Sequence, residues 1–509
     1  MKRALTAAQM RELDGGAAEF GMPASILMEN AGAALCDTAL ELAGPQGRFL
    51  VLCGLGNNGG DGLVAARKLA AAGRMVNVEL MGLPDALEGE PHRNAKALKA
   101  SGLSVGPIGD DVPVGPGDVV IDALLGIGLS RPPDAKYADA IGRISSWRAA
   151  GAKVVAADLP SGLQSDQGTA LQPCVTADVT LSFGFLKIGQ ALEPGATLCG
   201  RIEVIDIGIP RAAHAVLKDP ATYLLEESDV RGRLPPRRPD THKGSYGHVL
   251  VVAGSWGKTG AAALVGMAAL RAGAGLVTVA TRPESMIPVM AHCPELMGVE
   301  LVSDGPLGVA DLNTLLDAAE DKQAVIFGPG IHRGPDTAKL LGALLEELSI
   351  PCVIDADGLN AIAGNLELLK RAKGDLLLTP HPGEMARLTG KTTEAIQSDR
   401  ISAVRGVAVT TQVVVALKGA RTLIAREDGT VFINPTGNVG MATAGTGDVL
   451  AGVCGALLGQ GLSPEDAAIT GCYAHGLAGD LVLARTGKMG LMASDLLDGL
   501  GEVWVRWSR

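Results

Sequence analysis

The chain has 509 residues, of which 47% are hydrophobic and 19% charged, and its formal net charge is −11. This length exceeds one ordinary hydrophobic core, so we expect two or three domains. The composition excludes an intrinsically disordered chain, and the negative charge excludes a broad positive surface for nucleic acid. It does not exclude a small phosphorylated ligand, because backbone N–H groups bind phosphate without net positive charge.

The cysteines and the N-terminal segment bear on the cellular compartment. The eight cysteines are scattered without a C-x-x-C pair, so we expect free thiols and neither disulfides nor structural zinc. Charges at Arg11, Glu12 and Asp14 interrupt the segment where a signal peptide would be apolar. No apolar run reaches the roughly 18 residues of a membrane span. We therefore expect a soluble, cytoplasmic protein that does not bind membranes.

A β–loop–α unit follows an N-terminal helical segment that is expected to break near residues 21–23. The apolar strand at residues 49–53 leads through GLGNNGGDG into a predicted helix. Open parallel sheets bind ligands at this end of a strand, although the spacing differs from the plain dinucleotide fingerprint. Asn57, Asn58 and Asp61 add oxygen atoms that a simple turn would not need.

Two further strands end in polar residues. Asp122 precedes a glycine loop at residues 126–131, and Asp158 and Ser161 follow the next strand. Singly, each aspartate is more often a turn residue. Together with Asn58 they predict one crevice in a doubly wound sheet. Asn58, Asp122 and Ser161 offer hard oxygen ligands for a cation, and Asp158 is a candidate acid or base.

These motifs, with ADLPSGL and TLSFGFLKIGQALEPGATLCGRIEVIDIGIP, resemble the NAD(P)H-hydrate epimerase domain throughout its length. The resemblance implies a Rossmann-like domain, expected at residues 1–220. It also implies that Asn58, Asp122 and Ser161 bind potassium and that Asp158 transfers a proton and contacts substrate. The remaining implied substrate contacts are Asn57, Asn58, Gly59, Gly60, Asp61, Gly126, Ile127, Gly128, Leu129, Ser130, Arg131 and Pro132.

The join between the halves is proline-rich and basic. Four arginines lie in RGRLPPRRPDTHKGSYG, and a solvated linker explains them better than a phosphate site does. The segment HVLVVAGSWGKTGAAALVG then predicts another β–loop–α unit. Its GKTGAA run lacks the spacing of a phosphate-binding P-loop.

The segment AGTGDVLAG in the second half predicts a loop that enters a helix. Bare N–H groups at such a helix start suit an anion, and Asp448 would lie there as a base for a substrate hydroxyl. Asp448 as a simple helix cap fits this segment equally well. At other strand exits, Lys418 and Thr422 would suit a nucleotide phosphate, and His381 lies near Glu384. A strand-end turn and a structural histidine are the alternatives.

The second half resembles a ribokinase-like fold, and more closely the ADP-dependent (S)-NAD(P)H-hydrate dehydratase. The motifs HKGSYG, GSWGKTGAA, FGPG, TPHPGEMARL, LKGART and NPTGNVGMATAGTGDVLAG occur in order from about residue 240 to the end. The resemblance implies a dehydratase domain, expected at residues 221–509. The loop GPGIHRG departs from the family's GPGLG at Ile331 and His332. The implied nucleotide contacts are Lys418, Gly419, Ala420, Arg421, Thr422 and Gly447, and the implied substrate contacts are Ala261, Gly330, His381 and the catalytic Asp448.

The two resemblances imply one repair pathway. Hydrated NADH or NADPH carries a C6 hydroxyl in R and S forms, which the first domain would interconvert. The second would dehydrate the S form with ADP and Mg²⁺, releasing AMP and phosphate. The alternatives are a vitamin-precursor kinase, which shares the second fold, and a binding or scaffold role for the first domain. We expect a homo-oligomer acting on small molecules.

Overall fold

The computed structural model describes residues 1–108, 112–218, 220–302 and 305–508. The chain divides into two compact units, which are Arg3–Ala221 and, together with Met1–Lys2, Thr222–Arg509. Each unit contains parallel strands connected by helices, which confirms the predicted α/β class. The eight cysteines are free thiols, and seven of them are buried.

Within the described residues, the main sheet of the N-terminal unit has six parallel strands: β2 (Phe49–Cys53), β3 (Val76–Leu80), β4 (Val119–Ala123), β5 (Lys153–Ala157), β6 (Val179–Phe183) and β8 (Arg201–Ile205). Their order is β3-β2-β4-β5-β6-β8. The chain order therefore reverses between β2 and β4, where doubly wound sheets bind ligands. The short strands β1 (Lys2–Leu5) and β7 (Leu186–Lys187) pair in parallel.

The described residues of this unit form seven α-helices: α1 (Ala7–Glu19), α2 (Ala24–Leu42), α3 (Asn57–Ala71), α4 (Gly89–Ala100), α5 (Ala135–Ala149), α6 (Ile188–Ala191) and α7 (Gly195–Cys199). The α1 helix begins with a capping box of Thr6 and Gln9. The glycine-rich stretch expected to form a turn is the start of α3. A Cβ on Gly59 would lie 1.9 Å from the Gly54 carbonyl oxygen, so only glycine permits this close approach.

The part of the C-terminal unit that the structure describes has ten strands: β9 (Thr222–Leu224), β10 (His248–Val252), β11 (Leu276–Thr281), β12 (Met297–Glu300), β13 (Ala324–Phe327), β14 (Cys352–Ile354), β15 (Leu376–Leu378), β16 (Val414–Leu417), β17 (Leu423–Ala425) and β18 (Val431–Ile433). They are ordered β12-β11-β10-β13-β14-β15-β16-β17-β18-β9. Pairing is parallel from β12 to β16, and β17 is antiparallel to both neighbours. The order reverses between β10 and β13.

Its helices are α8 (Glu227–Arg231), α9 (Thr259–Arg271), α10 (Pro283–His292), α11 (Leu312–Ala319), α12 (Thr337–Glu347), α13 (Asp357–Ala361), α14 (Pro382–Thr389), α15 (Thr393–Ser398), α16 (Arg400–Thr411), α17 (Thr446–Gly459), α18 (Pro464–Gly490) and α19 (Ala493–Trp507). The α17 helix is buried from Val449 onward. A Cβ on Gly452 would lie 2.3 Å from the Val265 carbonyl oxygen in α9. Small residues thus let α17 pack closely in the core, which fixes its N-terminus.

Two expectations from the sequence concern a membrane span and the basic segment between the halves. Within the described residues, one helix, α18, is long and apolar enough to cross a membrane, with a mean hydropathy of 1.2. Burial of 72% of that stretch inside the fold is typical of a core helix. In the basic segment after residue 230, Arg231 donates to the Trp507 carbonyl at 3.1 Å and Arg233 pairs with Asp466, whereas Arg237 and Arg238 are exposed.

Candidate functional sites

The N-terminal unit contains a cavity of about 330 Å³ at the edge where β2, β4, β5 and β6 end. Its apolar wall comes mainly from α1 and α2. A second cavity of about 630 Å³ shares Asn57, Asn58, Gly126 and Ile127 with the first and continues along residues 128–131. The polar and charged residues that line the first cavity are Arg11, Asp14, Asn57, Asn58, Asp61, Asp158 and Lys187.

An oxygen cluster lies at the reversal point between β2 and β4. The Ser161 hydroxyl donates to Asp122 at 2.6 Å, and the Ser161 N–H donates to the same carboxylate at 2.8 Å. The Asn58 amide nitrogen donates to the Leu125 carbonyl at 3.1 Å. This leaves Asn58 Oδ1 buried without a hydrogen-bond partner among the described residues. A buried oxygen of this kind is the ligand that a cation would satisfy.

The Asp122 carboxyl has no solvent exposure. Its burial raises its pKa to about 6, although hydrogen bonds from Ser161 and Leu124 oppose the rise. A bound cation would favour the charged carboxylate in the same place. No group of three or more His, Cys, Asp or Glu forms a metal site in the part of the chain that the structure describes. A cation here would therefore depend on amide, hydroxyl and carbonyl oxygens beside one carboxylate.

Asp158 has a left-handed backbone, with φ of +62°, and its side chain lines the cavity. Its carboxylate accepts hydrogen bonds from the Lys187 ammonium and, at 3.0 Å, from the Phe183 N–H. The Gln190 side chain donates to its carbonyl at 2.6 Å. Lys187 is fully buried and also donates to the Phe183 carbonyl at 2.8 Å. These contacts hold a strained residue in one position, as at many active sites.

Two more carboxyl groups line the same cavity. Asp61, in α3, is 8% exposed, and burial together with the charges of Asp158 and Asp14 raises its pKa well above the ordinary value. Asp14, in α1, retains solvent exposure. Its pKa is raised to about 6 by partial burial and by Asp158, while Lys187 lowers it. The site therefore combines one carboxylate paired with lysine and two carboxyls without such a pair.

The structure brings most of the expected N-terminal residues together. Asn57, Asn58, Asp61 and Asp158 line the first cavity with Gly126 and Ile127, and residues 126–131 line the second. Gly59, Gly60 and Pro132 line neither cavity. Gly59 and Gly60 are buried in the first turn of α3, where their lack of a side chain permits close packing.

In the C-terminal unit, Asp448 lies in the first turn of α17, after Gly445 with its φ of +89°. No hydrogen bond from a described residue reaches its carboxyl group, so Asp448 is not the cap of the helix. Burial and the neighbouring Asp355 raise its pKa to about 6, while Lys418 lowers it. A carboxyl with a pKa near neutrality is suited to exchange protons with a hydroxyl.

Lys418 follows β16 and meets carboxylates from two other strand exits. Its ammonium donates to Asp355 at 2.6 Å and lies 4.0 Å from Glu384. Burial alone would lower its pKa, but Asp355 and Glu384 outweigh burial and raise it. Burial raises the pKa of Glu384, which Lys418 opposes. A Cβ on Gly447 would lie 3.3 Å from this ammonium, so the first turn of α17 and Lys418 are adjacent.

His381 caps α14. The ring nitrogen Nδ1 accepts a hydrogen bond from the Gly383 backbone N–H at 3.0 Å. The His381 backbone N–H donates to the Glu384 carboxylate at 2.8 Å. Burial and Lys418 lower its pKa, so the ring is neutral at physiological pH. This capping role is structural, and half of the side chain still faces solvent. His381 is therefore available to a ligand on its exposed side.

Gly330 and Ala261 lie against each other at another part of the strand edge. A Cβ on Gly330 would lie 2.9 Å from the Ala261 Cβ, and the Ser255 hydroxyl donates to the Gly330 carbonyl at 2.8 Å. At the unusual positions of this loop, Ile331 is buried and His332 is exposed. The His332 carbonyl accepts the Leu307 N–H at 2.8 Å. The loop that contains Ile331 and His332 is therefore stabilised by the backbone hydrogen bond of His332 and by burial of the Ile331 side chain.

The loop after β16 is held by a half-buried arginine. Arg400, in α16, donates to the Ala420 carbonyl at 2.5 Å and to the Leu417 carbonyl at 3.4 Å. Gly419 and Arg421 have φ of +144° and +57°. The Thr422 hydroxyl donates to the Gly419 carbonyl at 3.1 Å, so the loop forms a compact turn beside Lys418.

Sequence reasoning missed two members of these sites. Lys187 is a lysine within an apolar run, FLKIG, and Asp355 ends the strand in CVIDADG. A buried charge requires a partner, so each of these patterns was a signal that a carboxylate or an ammonium lies nearby. The partners are distant in sequence, and only the fold identifies them as Asp158 and Lys418.

Comparison with known proteins supplies the family. A model described as YjeF-related protein N-terminus matches residues 24–189, and one described as NAD(P)H-hydrate dehydratase matches residues 249–501. The Bifunctional NAD(P)H-hydrate repair enzyme Nnr of Moorella thermoacetica is 43% identical, with 98% of this chain and 96% of that protein covered. The protein of the same name from Escherichia coli K12 is 36% identical, with 95% and 90% covered.

This chain belongs to the family of bifunctional NAD(P)H-hydrate repair enzymes. Among solved structures, the ADP/ATP-dependent NAD(P)H-hydrate dehydratase of Bacillus subtilis, co-crystallised with ATP/Mg²⁺, is 30% identical, with a TM-score of 0.48. The alignment covers 56% of this chain and 98% of that one. In this NAD(P)H-hydrate repair enzyme, the two family matches fall in different structural units, the N-terminal one Rossmann-like and the C-terminal one ribokinase-like.

Proposed function

We propose that this NAD(P)H-hydrate repair enzyme restores hydrated NADH and NADPH through two separate sites. The N-terminal unit interconverts the R and S forms, and the C-terminal unit dehydrates the S form with ADP, releasing AMP and phosphate. The observation that carries the proposal is the occurrence of two carboxylate sites, each at the ligand-binding edge of its own sheet. The units divide near residue 221.

In the epimerase site, Asp158 is the proton-transfer residue. Lys187 and the Phe183 N–H fix its carboxylate toward the cavity. The second cavity, along residues 126–131, is where the rest of the dinucleotide binds. Asn58, Asp122 and Ser161 would hold potassium, and the unsatisfied Asn58 oxygen supports this assignment. The ion would supply positive charge that orders the loops around the substrate.

In the dehydratase site, Asp448 acts on the C6 hydroxyl of the S form. Hydroxide is a poor leaving group, so transfer of a phosphoryl group to this oxygen permits elimination. Asp448 accepts the hydroxyl proton, and the N–H groups at the start of α17 stabilise the negative charge. The substrate contacts Ala261, Gly330 and His381, and the nucleotide binds along residues 418–422 and Gly447.

The carboxylates of Asp355, Glu384 and Asp448 surround Lys418. Within the described residues these carboxylates do not form a metal site by themselves, so Mg²⁺ would arrive with the nucleotide phosphates and keep several waters. The ion would neutralise charge on those phosphates. The Lys418 ammonium lies among these carboxylates, and as a compact positive charge it would also offset the charge of a bound nucleotide phosphate. We also propose a cytoplasmic homo-oligomer, which cell fractionation and sedimentation velocity would test.

The decisive experiment follows recovery of absorbance in the reduced-nicotinamide band. An R and S mixture of hydrated NADH is supplied with Mg²⁺ and either ADP or ATP. We expect recovery of the whole mixture faster than spontaneous epimerisation allows. Asp158→Asn should recover only the S fraction, and Asp448→Asn should recover nothing yet still interconvert R and S. Loss of both activities in either folded variant would refute the two-site model, and no recovery by wild type would favour a small-molecule kinase.

A further inference from the structure

The first cavity of the N-terminal unit holds more carboxyl groups than one proton-transfer residue requires. Asp14, Asp61 and Asp158 line it together with Lys187 and Arg11. Lys187 donates to Asp158, and Arg11 donates to the Ile127 carbonyl at 3.5 Å. Neither basic residue is hydrogen-bonded to Asp61 within the described residues. In this cavity the charge of Asp158 is therefore balanced by Lys187, whereas a charge on Asp61 would have no such partner.

The environment of Asp61 favours the neutral acid. Its side chain is 8% exposed, and in the described part of the chain no donor reaches its carboxyl group. Burial, Asp158 and Asp14 all favour retention of its proton, and only the smaller effect of the Lys187 charge opposes them. An uncompensated charge in such a place is costly, and a carboxyl avoids the cost by staying protonated.

We propose that Asp61 is the general acid of the epimerisation, paired with Asp158 as the general base. The assignment rests on the proposed epimerase function of this unit and adds a second catalytic group to it. Two carboxyls in one cavity whose surroundings favour opposite protonation states form an acid and base pair. Asp14 is the weaker candidate because it retains solvent exposure, where water can supply or remove its proton.

The chemistry requires this combination. The C6 carbon of the hydrated ring carries both the hydroxyl and the ring nitrogen N1. Asp158 removes the hydroxyl proton, the C6–O bond becomes a carbonyl, and the C6–N1 bond breaks with its electron pair going to N1. Asp61 donates its proton to N1. The aldehyde then rotates about the C5–C6 bond and presents its other face.

Ring closure reverses each transfer. N1 returns its proton to Asp61 as its electron pair forms the new C6–N1 bond, and the carbonyl oxygen takes the proton back from Asp158. The hydroxyl now has the opposite configuration. No water, oxidant or nucleotide is consumed, and both carboxyls end in their starting states, so the enzyme is ready for the next substrate in either direction.

The test follows interconversion of purified S-form hydrated NADH into the R form by chromatography, with potassium and without nucleotide. General acid catalysis contributes about 10²–10⁴-fold, so Asp61→Asn should lower the catalysed rate at least about 100-fold. Asparagine matches the size of the acid, and binding of hydrated NADH should change less than about threefold. Asp37→Asn, on an exposed surface of α2, is the matched control and should retain wild-type activity.

Two further readouts separate catalysis from a structural role. Wild-type activity should fall at high pH as Asp61 loses its proton, and the residual activity of Asp61→Asn should lack that fall. Substrate labelled with ¹⁸O at C6 should keep its label through inversion, because the C6–O bond never breaks. Loss of the label at every inversion would overturn the ring-opening step.

The outcomes distinguish this assignment from the function on which it rests. If the wild-type enzyme does not interconvert the S and R forms, the epimerase function itself is refuted. If the wild type is active and Asp61→Asn is equally active, only the assignment of Asp61 as the acid is overturned. A severe loss in Asp14→Asn with retained activity in Asp61→Asn would overturn it in favour of Asp14.

Discussion

Replacing Asp448 by asparagine should stabilise the ligand-free enzyme while it removes dehydration. In the folded protein, burial and Asp355 raise the pKa of Asp448 from 3.8 to about 6. The folded state therefore binds this proton more tightly than the unfolded state, and stability falls as pH rises through this interval. A tenfold change in proton affinity is worth about 1.4 kcal/mol, so the carboxylate costs about 3 kcal/mol above pH 7. Asparagine carries no charge and avoids that cost.

The assay is scanning calorimetry of wild type and variant without ligands at pH 8 and pH 5. A unit of this size shifts by about 2–4 °C per kcal/mol, so the melting temperature should rise roughly 6 °C or more at pH 8. About half the free-energy gain should remain at pH 5, where the wild-type carboxyl is largely protonated. Dehydration should fall about 10²–10⁴-fold, as for loss of a general base.

Asp375→Asn is the matched control, because Asp375 is exposed in the same unit. It should change neither the melting temperature nor the activity appreciably. Equal gains for Asp448→Asn at pH 5 and pH 8, or no gain at pH 8, would refute the argument that burial suppresses this charge. A stabilised variant that keeps wild-type dehydration would refute its role as the base.

Three further predictions concern packing, charge and the cation. Gly59→Ala should lower the free energy of unfolding by about 1–3 kcal/mol in urea titration, whereas Gly56→Ala, with no atom within 4 Å of its new Cβ, should be nearly neutral. Lys418→Met should raise the KM for ADP and cost about 3–5 kcal/mol of stability, because it leaves the buried Asp355 carboxylate without its partner. Adding Asp355→Leu should restore part of that stability, and no recovery in the double variant would contradict the pairing. Exchange of potassium for choline should slow epimerisation but not dehydration in steady-state assays. Asn58→Leu should abolish this potassium response of epimerisation, and an unchanged response in the variant would disprove the role of Asn58.

The sequence determined the fold class and the arrangement of the motifs. Apolar strands followed by polar or glycine-rich residues predict parallel sheets, whose carboxyl ends meet at one edge. Asn58, Asp122 and Ser161 could be grouped for this reason although 103 positions separate Asn58 from Ser161. The structure places Asp122 and Ser161 in direct contact, with Asn58 beside them through the Leu125 carbonyl.

Tertiary structure alone decided how charge is distributed within the sites. The pairing of Asp158 with Lys187 and of Asp355 with Lys418 depends on side-chain direction after unrelated strands, which no local pattern encodes. It also decided that Asp448 is half-buried and does not cap α17, since capping and exposure depend on how this helix packs. Local sequence fixes which groups reach the sheet edge, because strand periodicity is short-ranged. Their protonation depends on burial and on neighbours that the folded chain brings from far away.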